Sequence, residues 1–198
     1  MGERIVELGA EEAVRAGIAV LLLAPSPPLL FMGQEWGSRQ PFPYFCDFGD
    51  DLAEKVREGR RNEFAKFAAF RDPGSRARIP DPNDPETFAA AVLNWDDTGT
   101  GTGRRTLELH RALLDLRHSE VVPRLAGTTG HAGTFRVYPD RAILMQWSLG
   151  GGGRLSLLAN LGPAPASNLP PPPDGRRIFV TDDDMAASMD GGTWPAWS

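Results

Sequence analysis

The sequence predicts an α/β unit followed by a small antiparallel β domain. Good helix formers at residues 11–23 precede an unbroken apolar run at residues 29–32, which is typical of a parallel strand covered on both faces in a sheet or barrel. From Pro123 onward, short stretches rich in leucine, aromatic and β-branched residues replace the helical period. Helices first and strands later indicate two domains, residues 1–119 and residues 120–198.

The other elements follow from periodicity and from turn residues. Pro25 ends the first helix, and Asp50 and Asp51 are candidate caps for the next one. The pattern predicts helices at residues 52–70, 86–93 and 104–119, an ordered proline-rich loop at 72–85, a flexible connection at 98–103, and strands at 134–138, 142–149, 154–161 and 177–181.

Composition narrows the function classes. The chain has 26 acidic and 21 basic residues and a formal charge of −5, which argues against a nucleic-acid partner that needs a basic face. The longest apolar run, residues 18–32, is interrupted by prolines and is shorter than the roughly 20 residues of a membrane-spanning helix. The single cysteine cannot form an internal disulfide, so we expect a cytoplasmic protein without a targeting segment and without membrane contact.

The loop at residues 34–48, called the site loop below, is the candidate binding region. Gly33 ends the apolar run, and in a barrel of alternating strands and helices the ligand meets residues just past the carboxyl ends of the strands. The candidate substrate-binding residues are Gln34, Glu35, Trp36, Phe42, Tyr44 and Phe45. Aromatic side chains can stack on sugar rings, but those of a proline-rich loop also pack on one another, and both interpretations stay open.

Carboxylates are the remaining candidates for chemistry. Glu35 and Asp47 are the acids of the site loop, and sugar hydrolysis needs two carboxyl groups about 5 to 10 Å apart. The structural alternative, which we favour, is that Glu35 hydrogen-bonds to the loop of a neighbouring strand. The charged run at 57–61 is interpreted as a solvated helix face, with a substrate or domain contact through Arg60 or Arg61 as the alternative.

No metal or cofactor is expected. The three histidines lack the spacing of metal ligands, and His110 and His118 are predicted to lie on a helix surface. Cys46 has no basic neighbour in sequence to activate it, and a small buried filler is the favoured interpretation. The chain also lacks a serine or cysteine nucleophile motif, which leaves the carboxylates as candidates. The family resemblance given below implies that no catalytic residue lies in this chain.

Several motifs together resemble one enzyme family. They are Leu-Leu-Phe-Met-Gly-Gln-Glu-Trp-Gly at 29–37, Pro-Phe-Pro-Tyr-Phe-Cys-Asp-Phe at 41–48, Val-Arg-Glu-Gly-Arg-Arg at 56–61, Pro-Asp-Pro-Asn-Asp-Pro-Glu-Thr-Phe at 80–88 and Leu-Ala-Asn-Leu at 158–161. This set is similar to the C-terminal part of malto-oligosyltrehalose trehalohydrolase, of glycoside hydrolase family 13 in the α-amylase superfamily. The Phe-Met-Gly-x-Glu pattern alone is shared with branching enzymes of the same family.

The resemblance implies the terminal portion of a (β/α)₈ TIM barrel in residues 1–119 and a small β-sandwich in residues 120–198. It implies a retaining α-glycosidase that cuts the α-1,4 bond next to the trehalose end of maltooligosyl trehalose. The family uses an Asp nucleophile, a Glu acid/base and a stabilising Asp, and all three lie upstream of the segment that resembles this chain. We therefore expect a fragment that is inactive alone, whose partner is maltooligosyl trehalose or a maltooligosaccharide.

Two alternatives stay open, and one further consequence follows. The chain could be a stand-alone carbohydrate-binding or interaction module, or the tail of a glycogen branching enzyme. In the fragment interpretation, the apolar run at 29–32 loses a neighbouring strand, and exposed apolar edges promote association. We therefore expect self-association through an exposed barrel edge.

Overall fold

The computed structural model describes residues 2–70, 72, 74, 75 and 78–198. The chain divides into two compact units, and each unit is built from two separate stretches of the sequence. The first unit holds the described residues of Met1–Leu8 and Ser38–Gly99, and the second holds Gly9–Gly37 and Thr100–Ser198. The domain division at residue 119 stays a prediction. Searched over the described residues, no helix is long and apolar enough to cross a membrane.

The second unit contains a three-stranded antiparallel sheet in the order β1-β2-β3. The strands are β1 (Gly133–Val137), β2 (Ala142–Ser148) and β3 (Arg154–Asn160). The register places Phe135 opposite Met145 and Leu144 opposite Leu158. The three corresponding strand predictions and their antiparallel pairing are therefore confirmed.

One side of this sheet packs on a small apolar cluster around the fully buried Trp194, with Ala142, Ala166, Leu169 and Met189 also buried. Asn160, also fully buried, joins the end of β3 to the backbone near Trp194, because its Nδ2 donates to the carbonyls of Ala164 and Trp194 at 2.8 and 3.1 Å. Its Oδ1 accepts from the Gly162 N–H at 2.9 Å. A buried amide needs partners for both of its ends, and Asn160 has them.

The six α-helices found in the described ranges are α1 (Ile5–Leu8), α2 (Glu11–Leu23), α3 (Asp50–Phe64), α4 (Pro85–Ala89), α5 (Gly101–Leu116) and α6 (Asp183–Asp190). Helix α2 has the predicted bounds. It packs against α5 through a cluster of Ile18, Ala19, Leu22, Leu23 and Leu113, with Leu30 and Phe179 at its margin. This cluster is the core of the helical part of the second unit.

Arg117 joins the end of α2 to the end of α5. Its guanidinium donates to four carbonyls, one in the last turn of α2, that of Leu22 at 2.9 Å, and three after it, those of Ala24, Pro25 at 3.1 Å and Ser26 at 3.0 Å. We call this set the Arg117 clamp. The side chain is 6% exposed, and burial lowers the pKa of Arg117, although a guanidinium stays protonated at neutral pH. The clamp satisfies carbonyls that the end of a helix leaves unpaired.

The prediction of a buried strand at residues 29–32 is wrong for the described chain. The segment pairs with no strand there, Met32 lies in the turn closed by the Gln34 N–H and the Phe31 carbonyl at 2.9 Å, and Leu29 is 88% exposed. A parallel strand is stabilised by hydrogen bonds to its neighbours, and the described residues supply no neighbouring strand on either side. The expected self-association through a barrel edge stays a prediction.

The predicted strand at 177–181 is also wrong. Side chains hold this segment instead of a ladder: Arg177 pairs with Asp190 at 2.5 Å, Phe179 packs on the α2/α5 cluster, and Arg15 donates to the Thr181 carbonyl at 3.2 Å. The sheet therefore has three strands among the described residues.

The ends of two helices, α3 and α5, differ from the predictions. The connection predicted at 98–103 is partly helical, because the Thr100 hydroxyl accepts from the Gly103 N–H at 3.1 Å and caps α5. Asp50 and Asp51 lie in the first turn of α3 rather than at its cap, which is Gly49. The third helix ends at Phe64, and a separate turn covers Ala68–Phe70.

The first unit is organised by the proline-rich segment, of which Pro73 and residues 76 and 77 lie outside the described chain. Asp81 Oδ2 accepts from Arg57 Nε on α3 at 2.6 Å, and its Oδ1 accepts from the Asn83 N–H at 3.0 Å. Asn83 in turn accepts from the Phe48 N–H at 3.2 Å. Cys46 is half-buried rather than fully buried and lies 3.5 Å from Asn83. Two polar side chains thus bind the site loop to α3.

Replacing Arg117 with Ala should destabilise the second unit by roughly 3 kcal/mol, because several buried carbonyls lose a charged donor together. Thermal or urea unfolding of the purified variant measures the loss. Arg111→Ala, an exposed arginine of α5, is the matched control and should change stability little. Equal stability of the two variants would contradict the role given to the clamp.

Asp81 should make the first unit acid-sensitive. Burial raises its pKa, but the Asn83 N–H and the Arg57 guanidinium lower it more, so the net pKa lies below the ordinary 3.8. The ionised carboxylate therefore stabilises the fold above pH 3.8, and this stability is lost as the pH falls through the native pKa.

Asp81→Asn should lower stability at neutral pH by about 1 to 2 kcal/mol and flatten the acid limb of a stability–pH profile. The exposed Asp47→Asn is the control. A profile identical for the two variants would rule out the role of Asp81.

Candidate functional site

The predicted site residues divide between the two units. Gln34, Glu35 and Trp36 belong to the second unit, whereas Phe42, Tyr44 and Phe45 belong to the first. Each group is therefore described within its own unit. Glu35 and Asp47, the candidate acid pair, are divided in the same way, and their role as a pair stays a prediction.

In the second unit, Gln34–Trp36 forms one tight helical turn that packs on α5. Gly33 and Gly37 flank it with φ angles of 82° and 68°, which are left-handed values that glycine adopts without steric cost. Gln34 closes the turn, because its N–H donates to the Phe31 carbonyl at 2.9 Å and its Oε1 accepts from the Phe31 N–H at 3.2 Å. Backbone geometry thus fixes the direction of all three side chains.

These three side chains differ in exposure. Trp36 is 5% exposed and is a core residue of the second unit rather than a free stacking face. Glu35 has one carboxylate oxygen, Oε2, that is buried and accepts no hydrogen bond from the described residues. A buried carboxylate oxygen without a donor is costly, so Glu35 is a site where a further donor would be favourable.

His110 was predicted on a helix surface, and this prediction is wrong. The ring is 2% exposed, and its Nδ1 donates to the Thr106 carbonyl at 2.9 Å. Its Nε2 is buried and finds no partner in the described part of α5 or its surroundings. His118, by contrast, is exposed as predicted. The helical periodicity did not distinguish the two histidines, because polar and apolar residues alternate around both of them.

In the first unit, the site loop forms one side of an open, mostly apolar cavity of about 700 Å³. Its lining includes Phe42, Tyr44, Arg60, Phe64, Phe67 and Ile79. The Arg60 guanidinium lies 5.0 Å from the centre of the Tyr44 ring and 4.8 Å from that of Phe64, within cation–π distance of both. Arg60 thus contacts one aromatic ring of the site loop and one of α3, and the substrate or domain contact considered for it stays a prediction.

The aromatic residues of the loop have two different environments. Phe45 packs edge-to-face between Phe42 and Phe88, with ring centres 5.6 and 5.2 Å away. Tyr44 is 47% exposed and lines the cavity. Tyr44 therefore keeps an accessible ring, whereas Phe45 is a packing residue, and the sugar contact predicted for both stays a prediction.

The second unit has its own cavity, of about 630 Å³, between α2 and β3. Four arginines line it, Arg124, Arg154, Arg176 and Arg177. Glu120 forms salt bridges with two of them, with Arg176 at 2.5 Å and with Arg124 at 3.2 Å. Sequence reasoning missed this cavity, because its charges come from positions far apart in the chain. No group of metal-ligating side chains occurs in the described ranges.

Comparison with known proteins gives the family context. Residues 130–198 match the model of a domain of unknown function, DUF3459. The malto-oligosyltrehalose trehalohydrolase of Deinococcus radiodurans is 37% identical over 166 residues, which are 82% of this chain and 26% of the relative. The enzyme of the same name from Rhizobium sp. is 33% identical over 96% of this chain and 30% of its own length.

A solved structure shows the same relation. A crystal structure from Salmonella typhimurium, whose protein carries a provisional alpha-amylase name, has a TM-score of 0.84 and 36% identity to this chain. The match covers 98% of this chain and 31% of the Salmonella chain. The mixed α/β fold described above is thus part of a fold seen in that larger protein.

These matches cover most of this chain but between 26% and 31% of the larger proteins cited here. The chain is therefore homologous to the C-terminal portion of the malto-oligosyltrehalose trehalohydrolases, as its motifs at 29–37, 41–48 and 56–61 indicate.

Proposed function

We propose that this chain serves as the C-terminal part of a retaining α-glycosidase that hydrolyses the α-1,4 bond next to the trehalose end of maltooligosyl trehalose and releases trehalose. The observation that carries this proposal is the 33% identity to the Rhizobium trehalohydrolase, which extends over 96% of the chain. A relation of that length includes both the site loop and the three-stranded sheet.

In this proposal, residues 1–119 contribute the last helices, the last strand and its loop to a (β/α)₈ barrel, and residues 120–198 form a β-sandwich. The match to the Salmonella structure, which covers 98% of this chain and 31% of the larger one, supports a place within a larger fold. The domain model that matches residues 130–198 supports a separate unit in the second part.

The chemistry of the proposed reaction needs groups beyond this chain. A retaining glycosidase uses one carboxyl group as nucleophile and another as acid and then base, about 5 Å apart. The family resemblance assigns these acids to a segment that this chain does not match. We therefore propose that the isolated chain does not hydrolyse maltooligosyl trehalose.

The proposed task of this chain is to bind and orient the substrate. Gln34, Glu35 and Trp36 would form a rigid turn beside the reacting groups, with the unpaired Glu35 oxygen available to a hydroxyl or to a donor from the rest of the site. Tyr44 would offer its exposed ring to a glucose unit, held by Arg60. Such positioning lowers the entropic cost of reaching the transition state.

A hybrid enzyme tests the function. This chain should replace the matched C-terminal portion of the Rhizobium relative, and the hybrid should release trehalose from maltooligosyl trehalose, while the purified 198-residue chain releases none. Trehalose and maltooligosaccharide products are separated by chromatography. The hybrid keeps the relative's own catalytic segment, so its activity reports whether this chain completes the site.

Two results would contradict the proposal. One is trehalose release by the 198-residue chain alone. The other is a folded hybrid that leaves maltooligosyl trehalose intact but transfers α-glucan branches, which would favour the branching-enzyme alternative.

Tyr44 should contribute to substrate affinity in the hybrid. Loss of a stacking ring costs about 0.5 to 1.5 kcal/mol, so Tyr44→Ala should raise KM roughly threefold to tenfold with a smaller effect on kcat. Tyr44→Phe keeps the ring and should remain near the parent value. If both variants have the parent KM, Tyr44 does not contact the sugar.

A further inference from the structure

Strand β1 lies at one edge of the three-stranded sheet, and all five of its residues are exposed. Phe135 is 74% exposed and Val137 64%. Natural proteins protect such an edge with a proline, with charged side chains or with a bulge, because an open edge pairs with other chains. β1 has neither a proline nor a bulge, and its one charged side chain is that of Arg136. The edge is therefore weakly protected against pairing.

The hydrogen bonds to β2 show which backbone groups of β1 face the open edge. The Tyr138 N–H donates to the Ala142 carbonyl at 2.8 Å, and the Ser148 N–H donates to the Ala132 carbonyl at 3.0 Å. In an antiparallel pair, hydrogen-bonded positions alternate with non-hydrogen-bonded ones. The even-numbered residues therefore bond to β2, and the odd-numbered residues of β1 turn their N–H and C=O groups to the edge. These outward residues, for which the described chain supplies no backbone partner, are Gly133, Phe135 and Val137.

This backbone pattern is complementary to itself. A second copy can run antiparallel along β1, with a two-fold axis at Phe135. Each Phe135 then lies opposite the other, and Gly133 of each copy lies opposite Val137. The outward N–H and C=O groups of all three residues exchange hydrogen bonds with the same groups of the second copy. A two-fold interface requires a self-complementary surface of this kind, because one patch serves both subunits.

The side chains of the odd-numbered residues suit the same register. Two Phe135 rings on directly opposite positions form an aromatic cross-strand pair. A Cβ at Gly133 would lie 2.7 Å from Trp147 Nε1, so the indole of Trp147 covers this glycine. Val137 of the second copy, placed opposite Gly133, would meet that indole. Apolar contacts thus accompany the backbone bonds at each of the three positions.

The charge of Arg136 selects this register over its neighbour. The register places Arg136 opposite Thr134 of the second copy, and the Arg136 guanidinium already lies 5.1 Å from the centre of the Tyr138 ring. An axis at Arg136 instead would put two arginines directly opposite each other, which is destabilising. It would also place Gly133 opposite Pro139, which has no N–H to donate.

The other edge of the sheet is less available. The Asn160 N–H on β3 already donates to the Ser198 carbonyl at 3.0 Å. Pairing of β1 with β3 of another copy would also be head-to-tail, and such contacts build open chains unless the rotation closes a ring. Pairing of β1 with itself gives a closed dimer, in which two three-stranded sheets become one continuous sheet. A sheet of that size exceeds the three strands needed for independent stability.

We propose that β1 is a self-association edge, along which two copies of this chain pair antiparallel about a two-fold axis at Phe135. The contact is short, with five residues on each side, and belongs to the interfaces below roughly 1,200 Å². The dimer should therefore be weak and reversible, with a dissociation constant of roughly 10 to 100 µM. This inference does not depend on the proposed function.

Sedimentation velocity of the full 198-residue chain tests the pairing, at concentrations on both sides of the expected dissociation constant. The chain should pass from monomer to dimer. Phe135→Lys should raise the dissociation constant about tenfold or more, because it removes the aromatic pair and puts two like charges directly opposite. Leu29→Lys is the matched control, because Leu29 is 88% exposed in the segment at 29–32, and it should leave the dissociation constant unchanged. Circular dichroism and thermal unfolding verify that both variants fold.

Amide hydrogen exchange identifies the strand and its register. At a chain concentration roughly ten times the dissociation constant, about one chain in five stays monomeric. Exchange at the Phe135 and Val137 amides should then be about fivefold slower than at low concentration, because pairing protects them. The Thr134 and Arg136 amides bond to β2 at every concentration, so their exchange should change little. This alternation is expected only of pairing along the β1 edge.

The inference is overturned if the chain stays monomeric throughout, if Phe135→Lys associates like the parent, or if Leu29→Lys weakens association as much. The last result would assign association to the segment at 29–32. Species that grow beyond a dimer would also contradict the inference, since a two-fold pair is closed. Trehalose release by the hybrid enzyme is measured separately, so the proposed function stands or falls on its own.

Discussion

The Arg117 clamp is the interaction on which the second unit depends. One guanidinium binds the last carbonyls of α2 and the turn after it, and the same residue follows directly on α5. It therefore fixes how α2 ends and where the chain goes directly after it. A buried cation is costly, but here four backbone acceptors replace its water. Lysine could not span them, because an ammonium lacks the planar, forked arrangement of donors.

The two halves of the candidate site are supported by different forces. In the second unit, an apolar cluster and a backbone turn set the position of Glu35, whose carboxylate still lacks a donor. In the first unit, Asp81 and Asn83 hold the site loop by hydrogen bonds, and Arg60 holds Tyr44 by a cation–π contact. Polar contacts of the second kind respond to pH and to salt, whereas apolar packing does so much less. The surroundings of Glu35 should therefore depend less on pH and salt than those of Tyr44.

The sequence predicted local elements well and tertiary environments poorly. Helix α2 was placed to the residue, because Pro25 gives a sharp stop, and three strands were found from their composition and turns. The segment at 29–32 was assigned as a strand from its apolar pattern, yet pairing depends on neighbours that the pattern cannot supply. The burial of His110 and of Trp36, and the exposure of Tyr44, depend on which elements pack together. Propensity and spacing carry no information on that packing, so the candidate residues could be proposed as a group but not sorted by environment.

Asn160 shows what a family motif can mean. The Leu-Ala-Asn-Leu stretch at 158–161 is one of the motifs shared with trehalohydrolases. Both the oxygen and the nitrogen of the Asn160 side-chain amide, however, form hydrogen bonds with the backbone around Ala164 and Trp194. Aspartate would bring a charge and lose the donor, and leucine would leave the Ala164 carbonyl and the Gly162 N–H unpaired, while the Trp194 carbonyl would keep its bond from the Ala166 N–H. The contacts of this residue therefore serve the fold. A search with this motif would collect proteins that share an architecture, whatever reaction they perform, and the substrate must be inferred from other positions.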